Sequence, residues 1–511
     1  MAFRLRRPPK LVGKHQAYPY QLDAVRAVEN LPYAAIFHEQ GLGKTKIAVD
    51  LMLRWLSDDV VDTVFVITKK TLVRNWANEI SNHTYVTPRA LTGNRRENSI
   101  ALNSPVLIYL LNYEVISANV DLIREFLGTC RVAGILDESQ KIKNPEARIS
   151  VCLHSIAERF VRRVIMTGTP VANRPFDIWS QVRFLDAGRA LGSSFETFRA
   201  ELDLPSRGAH QRGTMSERDR GDGGGAESYG GRLSRVMERI RNFTVRETKE
   251  TAGLALPDKT IRTVSVDLAP HQSVIYASYR DALMYEIRGR DGLTTDDAEN
   301  LLKRLLRLVQ CASNPGLVDD GYEEEPAKLS RLLQLAEEVD LRVHKAIVWT
   351  CFVENVEWLS AQLLELRPAK VHGGMTVDER NRSIDRFSAD NTCRVLVATP
   401  GAAKEGLTLT AANHAVFYDR GFSLDDYLQA QDRIHRISQR VDCFVHNLIA
   451  RNTIDEWIDQ LLHAKYEAAR VTQGDISSEE FDTSIIFDLP DQLLKVLSPA
   501  PSENDSKREV V

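Results

Sequence analysis

Short apolar runs alternate along this chain with longer stretches in which apolar residues recur every three or four positions. Two regions carry the pattern. The first holds AAIF at 34–37, VDTVFVIT at 61–68, SPVLIYL at 104–110, VAGILD at 132–137 and VRRVIMTG at 161–168. The second holds KAIVWT at 345–350, CRVLVAT at 393–399, HAVFYD at 414–419 and CFVHNLI at 443–449. Runs that are apolar nearly throughout mark parallel strands covered on both faces by helices. Their alternation with helical patterns marks βαβ units. The chain therefore reads as an α/β protein of two doubly wound parallel-sheet lobes, near 15–175 and 335–475.

The texture changes between the lobes. Residues 206–232 are rich in glycine and nearly devoid of apolar side chains, as in a flexible loop. Helical patterns flank it at 176–203 and 233–250 and return at 270–313 and 327–339. The expected organisation is an N-terminal lobe at 1–175, helical protrusions with the glycine-rich loop at 176–334, a C-terminal lobe at 335–475, and an extension at 476–511 that ends as a disordered tail.

Composition narrows the class. Of 511 residues, 43% are hydrophobic and 27% charged, ordinary values for a globular chain that can bury a core without staples. The six cysteines form no C-x-x-C pair, so neither a zinc site nor a disulfide framework is signalled. No apolar run approaches the roughly 20 residues of a membrane span. A net charge of −4 does not announce a nucleic-acid binder, although a local groove can serve that purpose whatever the total. The basic start, with Arg4, Arg6, Arg7, Lys10 and Lys14, reads more simply as a solvated tail than as a nucleic-acid arm.

Candidate chemistry sits at the ends of the apolar runs. HEQGLGKT at 38–45 follows one strand and opens a helical pattern, the context a phosphate loop requires. Gly41 and Gly43 let backbone N–H groups turn toward phosphate oxygens, and the helix N-terminus adds partial positive charge. Lys44 is suited to the β- and γ-phosphates, and the Thr45 hydroxyl to Mg²⁺. The strict pattern has glycine where this chain has His38. VAGILD ends in Asp137, placed to hold Mg²⁺, with Glu138 beside it as a general base for a water molecule. Another strand ends in Thr167-Gly168-Thr169-Pro170, whose hydroxyls suit hydrogen bonds to the acidic pair and a neighbouring lobe, although taken alone the segment reads more simply as a turn.

In order along the chain, HEQGLGKT, DESQKIKN, MTGTPVANRPFDIWSQVRFLD, VHGGM, EGLTLTAA and QAQDRIHRISQ resemble the helicase motifs of superfamily two, and in particular those of the Swi/Snf-type DNA-dependent ATPases. YPYQ, VITKKTLVRNWANEI, LLNYEVI, QCASNP and DERNRSIDRF extend the likeness over most of the chain. The resemblance implies two RecA-like lobes, ATP and Mg²⁺ as cofactors, and double-stranded DNA contacted through its backbone. It assigns adenine recognition to Gln21 and nucleotide contact to Gly41, Leu42, Gly43, Lys44 and Thr45. Coupling falls to Gln140, Thr167, Thr169 and Gly406, with Gln140 standing where the family has histidine and expected to bond Thr167 or Thr169. Arg433 and Arg436 would be arginine fingers which, three residues apart on a helix, share one face.

The same resemblance places DNA contacts at Lys69, Lys70, Thr71, Asn112, Tyr113, His372, Gly373, Thr399 and Lys404. It departs from the family at GLTLT and at 421–423, where GFS replaces a segment ending in WNP. It implies a compact bacterial or phage-type member, a cytoplasmic location, and a motor that translocates on duplex DNA. A strand-separating helicase and a catalytically weak nucleotide-gated scaffold are the alternatives.

Overall fold

The apolar runs of both regions are the central strands of two all-parallel sheets. The structure, a computed structural model, describes residues 9–482 apart from 92, 172, 203–227, 289–294 and 404–408, together with 493–494 and 496–497. The chain divides into two compact units: one ends at Leu254 and takes in Tyr466–Thr483, and the other comprises Ala255–Lys465. The stretch at 176–334, read from sequence as a single insertion, is thus shared between them at Leu254.

The first sheet is built from β1 (Tyr33–Ile36), β2 (Thr63–Thr68), β3 (Arg89–Ala90), β4 (Ile108–Asn112), β5 (Val132–Asp137), β6 (Arg162–Met166) and β7 (Thr244–Val245). Their order across the sheet is β3-β4-β2-β5-β6-β1-β7. β2 is buried along its whole length, because helices cover both of its faces. Helix Lys44–Ser57 lays Ile47, Leu51 and Trp55 on Ile36, Val64 and Ile135, and Trp76 of helix Val73–His83 joins the same core. Each such side chain contributes roughly 1.5–3 kcal/mol on burial. The register aligns Ile36, Met166 and Asp137 across three neighbouring strands. Whatever follows β1, β6 and β5 therefore meets at the carboxyl edge of the sheet, where open α/β sheets bind ligands.

The second sheet is built from β8 (Lys259–Val266), β9 (Ala346–Trp349), β10 (Ala369–Val371), β11 (Val395–Ala398), β12 (His414–Phe417) and β13 (Cys443–Ala450), in the order β10-β11-β9-β12-β13-β8. Its register aligns Val371, Ala398, Trp349 and Phe417. His372, Thr399, Thr350 and Tyr418 accordingly share one end of that sheet.

Four strands have no counterpart in the sequence reading: β3, β7, β8 and β10. The pattern at 233–250 reads as helix, but the helix spans Tyr229–Ile240 and the chain then extends as β7. The β-branched Thr244 and Val245 pair there with Ala35 and Ile36. β8, KTIRTVSV, is mostly polar and lies exposed along most of its length at the sheet edge, so it gives no continuous apolar signal.

The glycine-rich loop expected at 206–232 lies outside the described residues up to 227. Its last glycines, Gly230 and Gly231, are helical instead. Ser228 caps that helix, its hydroxyl accepting from the Gly231 N–H at 3.1 Å. The extension from 483 on, with its expected disorder, lies outside the described residues except at four positions. Among the described residues no helix is long and apolar enough to cross a membrane.

Candidate nucleotide site

In the first unit the phosphate loop leaves β1 and turns through two left-handed glycines, Gly41 at φ 88° and Gly43 at φ 71°. Gly43 is the N-cap of helix Lys44–Ser57, so the N–H groups at the start of that helix point toward the loop. Lys44 Nζ donates to the carbonyl oxygens of His38, at 2.9 Å, and Glu39, at 3.2 Å. These two loop carbonyls help to hold the ammonium inside the loop.

His38 takes the place of a consensus glycine, but its φ is not positive, so no glycine is required there. Its ring is only 2% exposed, and burial together with the Lys44 cation lowers its pKa to about 4. It is neutral at physiological pH and adds no charge to the loop.

Gln21 is buried and ties helix Pro19–Val28 to this loop. Its Nε2 donates to the Leu42 carbonyl at 3.1 Å and to Tyr20 Oη at 3.3 Å, and its Oε1 accepts from the Tyr18 N–H at 3.0 Å. Tyr20 Oη also donates to the Leu42 carbonyl, at 3.0 Å. The amide expected to read adenine through a paired donor and acceptor is thus engaged on both sides, with one acceptor lone pair left on Oε1.

The carboxylates stand at the tip of β5. Asp137 Oδ2 accepts from Trp76 Nε1 at 2.8 Å and from Thr68 Oγ1 at 3.0 Å. Tyr113 Oη donates to the Asp137 main-chain carbonyl at 2.9 Å. Burial and the adjacent Glu138 raise the Asp137 carboxyl to about pKa 6, against the opposing pull of Trp76, Thr68 and Lys44. No described residue bonds Oδ1, which leaves that oxygen able to take a water-bridged divalent cation. No described cluster of three or more His, Cys, Asp or Glu side chains forms a self-contained metal cage. Glu138 has φ 54°, a left-handed conformation costly for any residue but glycine, and such strain clusters at functional positions.

Sheet order explains the third element. β6 lies between β5 and β1, so Thr167-Gly168-Thr169 follows between the carboxylates and the phosphate loop. A Cβ on Gly168 would stand 2.8 Å from Gln40 Cγ of that loop, which shows how closely the two segments pack. Thr167 Oγ1 accepts from the Thr169 N–H at 3.1 Å.

The expected bond from Gln140 to Thr167 or Thr169 is replaced by another. Gln140 Nε2 donates to Glu138 Oε2, and its buried Oε1 has no hydrogen-bond partner. An unforeseen residue performs the bridging. Gln181 on helix Ile178–Asp186 accepts from Ser139 Oγ at 2.7 Å and donates to the carbonyls of Pro170 (3.0 Å) and Asp177 (2.9 Å). Lying fully buried, it joins the acidic motif to the TGTP segment.

Of the DNA contacts expected in this unit, Lys70 is exposed, and Lys69 and Thr71 are half-buried at the turn after β2. Asn112 caps helix Tyr113–Ala118 by accepting from the Val115 N–H at 2.8 Å. Tyr113 is fully buried beneath Asp137, so its side chain is not presented to DNA.

In the second unit a cleft of about 320 Å³ at the carboxyl ends of β9–β12 is lined by Gly373, Thr399, Asp419, Arg420, Ser423 and Tyr427, among others. His372 is buried beside it, paired with Glu357 at 2.9 Å. Asp419 accepts from Thr350 Oγ1 and the Cys351 N–H, both at 2.6 Å. Ser423, in the segment that departs from the family, caps helix Leu424–Gln431. Lys404 and Gly406 lie outside the described residues.

Arg433 and Arg436 are not on a helix. That helix ends at Gln431, and the pair follows on turns, Arg433 buried and Arg436 half-buried. The Gln439 amide donates to the carbonyls of Ile434 (2.9 Å) and Ala412 (3.0 Å), and His435 Nε2 bonds the Pro257 carbonyl at 2.9 Å. These bonds fasten the segment beyond the helix end. Arg436 Nε donates to the Asp432 carbonyl at 3.1 Å.

A parallel sheet whose carboxyl edge gathers a glycine-turned phosphate loop, a strand-tip carboxylate pair and a small hydroxyl segment, followed by a second parallel-sheet unit, defines a two-lobed α/β core with a candidate nucleotide site. The family comparisons place it further. The SNF2-related domain matches residues 27–317, and the helicase conserved C-terminal domain matches 327–438. The chain belongs to the SNF2-related family.

It is 26% identical over 456 residues to an uncharacterized ATP-dependent helicase of Mycoplasma genitalium, covering 88% of this chain and 41% of that one. It is 24% identical over 468 residues to the DNA repair and recombination protein RAD54-like of Gallus gallus, covering 83% and 61%. The chain thus spans 41–61% of the length of these curated relatives. Among solved structures, a Sulfolobus solfataricus SWI2/SNF2 ATPase core in complex with dsDNA aligns over 97% of this chain and 99% of that one, at 25% identity and a TM-score of 0.41.

Proposed function

We propose that this chain is a DNA-dependent ATPase that translocates on double-stranded DNA and remodels what is bound there. The reading is carried by the convergence of Lys44, Asp137 and Glu138 at one sheet edge, with Gln181 bridging two of the motifs. Lys44 and the loop N–H groups would hold the β- and γ-phosphates. Thr45 and Asp137 would hold Mg²⁺, which supplies charge neutralisation on the phosphates. Glu138 would orient and deprotonate the attacking water. Gln21, fixed against Leu42, would set the edge of the base pocket. The assignment of Arg433 and Arg436 to transition-state charge rests on residue type and motif.

ATP hydrolysis measured with and without duplex DNA tests the reading. Stimulation by duplex, together with displacement of a triplex-forming strand without fork unwinding, is expected. Efficient unwinding of a forked duplex would replace the translocase with a helicase. Absence of hydrolysis under both conditions would leave only a nucleotide-gated scaffold.

A further inference from the structure

The base of the phosphate loop is held by residues far from it in sequence. β7 pairs with β1, Ile36 opposite Val245, so the next residue, Arg246, lies alongside Phe37. Arg246 Nη1 donates to the Phe37 carbonyl at 2.7 Å. Its Nε and Nη2 grip the two oxygens of Asp475, each at 2.5 Å. The two side chains are only 13% and 17% exposed. The pairing continues up the loop: the Glu39 N–H donates to the Glu247 carbonyl, and the Lys249 N–H to Glu39 Oε2, both at 2.8 Å.

Asp475 reaches this place through a specific turn. Helix Ile454–Gln473 ends at Gly474, whose φ is 75°. The Gly474 N–H donates to the Val471 carbonyl at 3.0 Å and the Asp475 N–H to the Arg470 carbonyl at 2.8 Å, a Schellman closure that a left-handed glycine permits. The following residues pack onto helix Tyr229–Ile240, where a Cβ on Gly230 would come within 3.2 Å of the Ser478 carbonyl. Segment Tyr466–Thr483 belongs to the first compact unit for these reasons.

We infer that Arg246 and Asp475 are positioning residues for the phosphate loop, so that nucleotide affinity at Lys44 depends on a segment lying beyond the second lobe in sequence. Without Asp475, a largely buried guanidinium keeps one neutral carbonyl and no counter-charge. It must turn toward water or another acid, releasing Phe37 as it goes. The inference rests on the nucleotide reading above, and its test separates the two.

In the full chain, deuterium uptake of residues 37–45 is compared without nucleotide between wild type and Asp475→Asn. Faster uptake in the variant supports the buttress, and unchanged uptake overturns it, whatever the loop binds. Nucleotide affinity is then measured by fluorescent-ATP titration. Asp475→Asn is expected to weaken binding about tenfold while leaving kcat at saturation near wild type, and Asp475→Glu to restore most of it. Arg246→Lys, which keeps the charge but loses the two-pronged grip, is the milder variant should Asp475→Asn not fold, with the same outcomes. Wild-type affinity in the folded variant overturns the inference. A wild-type chain that binds no ATP overturns the nucleotide reading, while the exchange result still decides the buttress.

Discussion

Gly43 and Gln21 approach so closely that a Cβ on Gly43 would lie 2.5 Å from Gln21 Nε2. Gly43 also holds φ 71°, which an L-residue adopts at a cost of about 1–2 kcal/mol. Gly43→Ala is therefore expected to lower the melting temperature and abolish nucleotide binding by displacing Gln21 from the Leu42 carbonyl. Adding Gln21→Ala relieves the clash but not the backbone strain, so the double variant should regain part of the stability and none of the activity. Thermal melts and ATPase assays of the three variants check this. A fully active Gly43→Ala would show that the loop does not need the Gln21 contact.

Asp137 gives a pH signature of opposite sign to an ordinary ion pair. Its pKa of about 6 in the folded chain exceeds the value near 4 of a free carboxyl. Between those values the folded chain binds more protons than the unfolded one. This group's contribution to stability therefore falls as pH rises through that window, and its penalty is complete above about 6. Asp137→Asn removes the buried charge while its amide oxygen still accepts from Trp76 and Thr68. The variant should melt about 2–4 °C above wild type at pH 7.5, with a smaller gap at pH 5, and should lose hydrolysis. Equal melting temperatures at both pH values would contradict the buried-charge account.

The central strands were legible because burial on both faces writes an apolar run into the sequence, as at 63–68 and 132–137. The edge strands were not: β8 is mostly polar, and β7 is two residues long. Lys44, Asp137 and Glu138 were legible because phosphate chemistry confines residue types to strand tips. Gln181, Trp76, Arg246 and Asp475 were not, since each acts through a tertiary bond whose partner lies at least 40 residues away, and neither composition nor periodicity encodes such a bond. Motif position alone does not reveal burial or helix ends: Tyr113 lies buried under Asp137, and the arginine pair follows the helix that stops at Gln431.

Tyr113→Phe tests one of these corrections. The phenol is fully buried and its hydroxyl donates only to the Asp137 carbonyl, so burial raises its pKa well above that of free tyrosine. Losing that bond should cost about 0.5–1.5 kcal/mol of stability and disturb hydrolysis through Asp137. Duplex-DNA affinity, followed by fluorescence anisotropy over a range of salt, should keep both its strength and its salt slope. Lys70→Ala, at an exposed position, should weaken binding and lower the slope by about one ion. A Tyr113→Phe variant with impaired DNA binding and intact hydrolysis would restore the role first expected of it.

Gln181 separates coupling from binding. Its amide is fully committed, with Oε1 to Ser139 and Nε2 to two carbonyls, in a site with no solvent. Gln181→Leu has similar volume and removes the side-chain partner of a hydroxyl and of the Pro170 carbonyl, at a cost of about 1–3 kcal/mol each before relaxation. Among the described residues no hydrogen bond joins Gln181 to the phosphate loop, so ATP KM should stay close to wild type. Glu138, one residue from the lost Ser139 bond and already in a strained conformation, should lose its placement, and kcat should fall by roughly 10–100-fold. Steady-state kinetics with saturating duplex DNA, on a variant shown by melting to be folded, read the two parameters separately. A raised KM with kcat preserved would mean that Gln181 supports the nucleotide pocket and not the carboxylate.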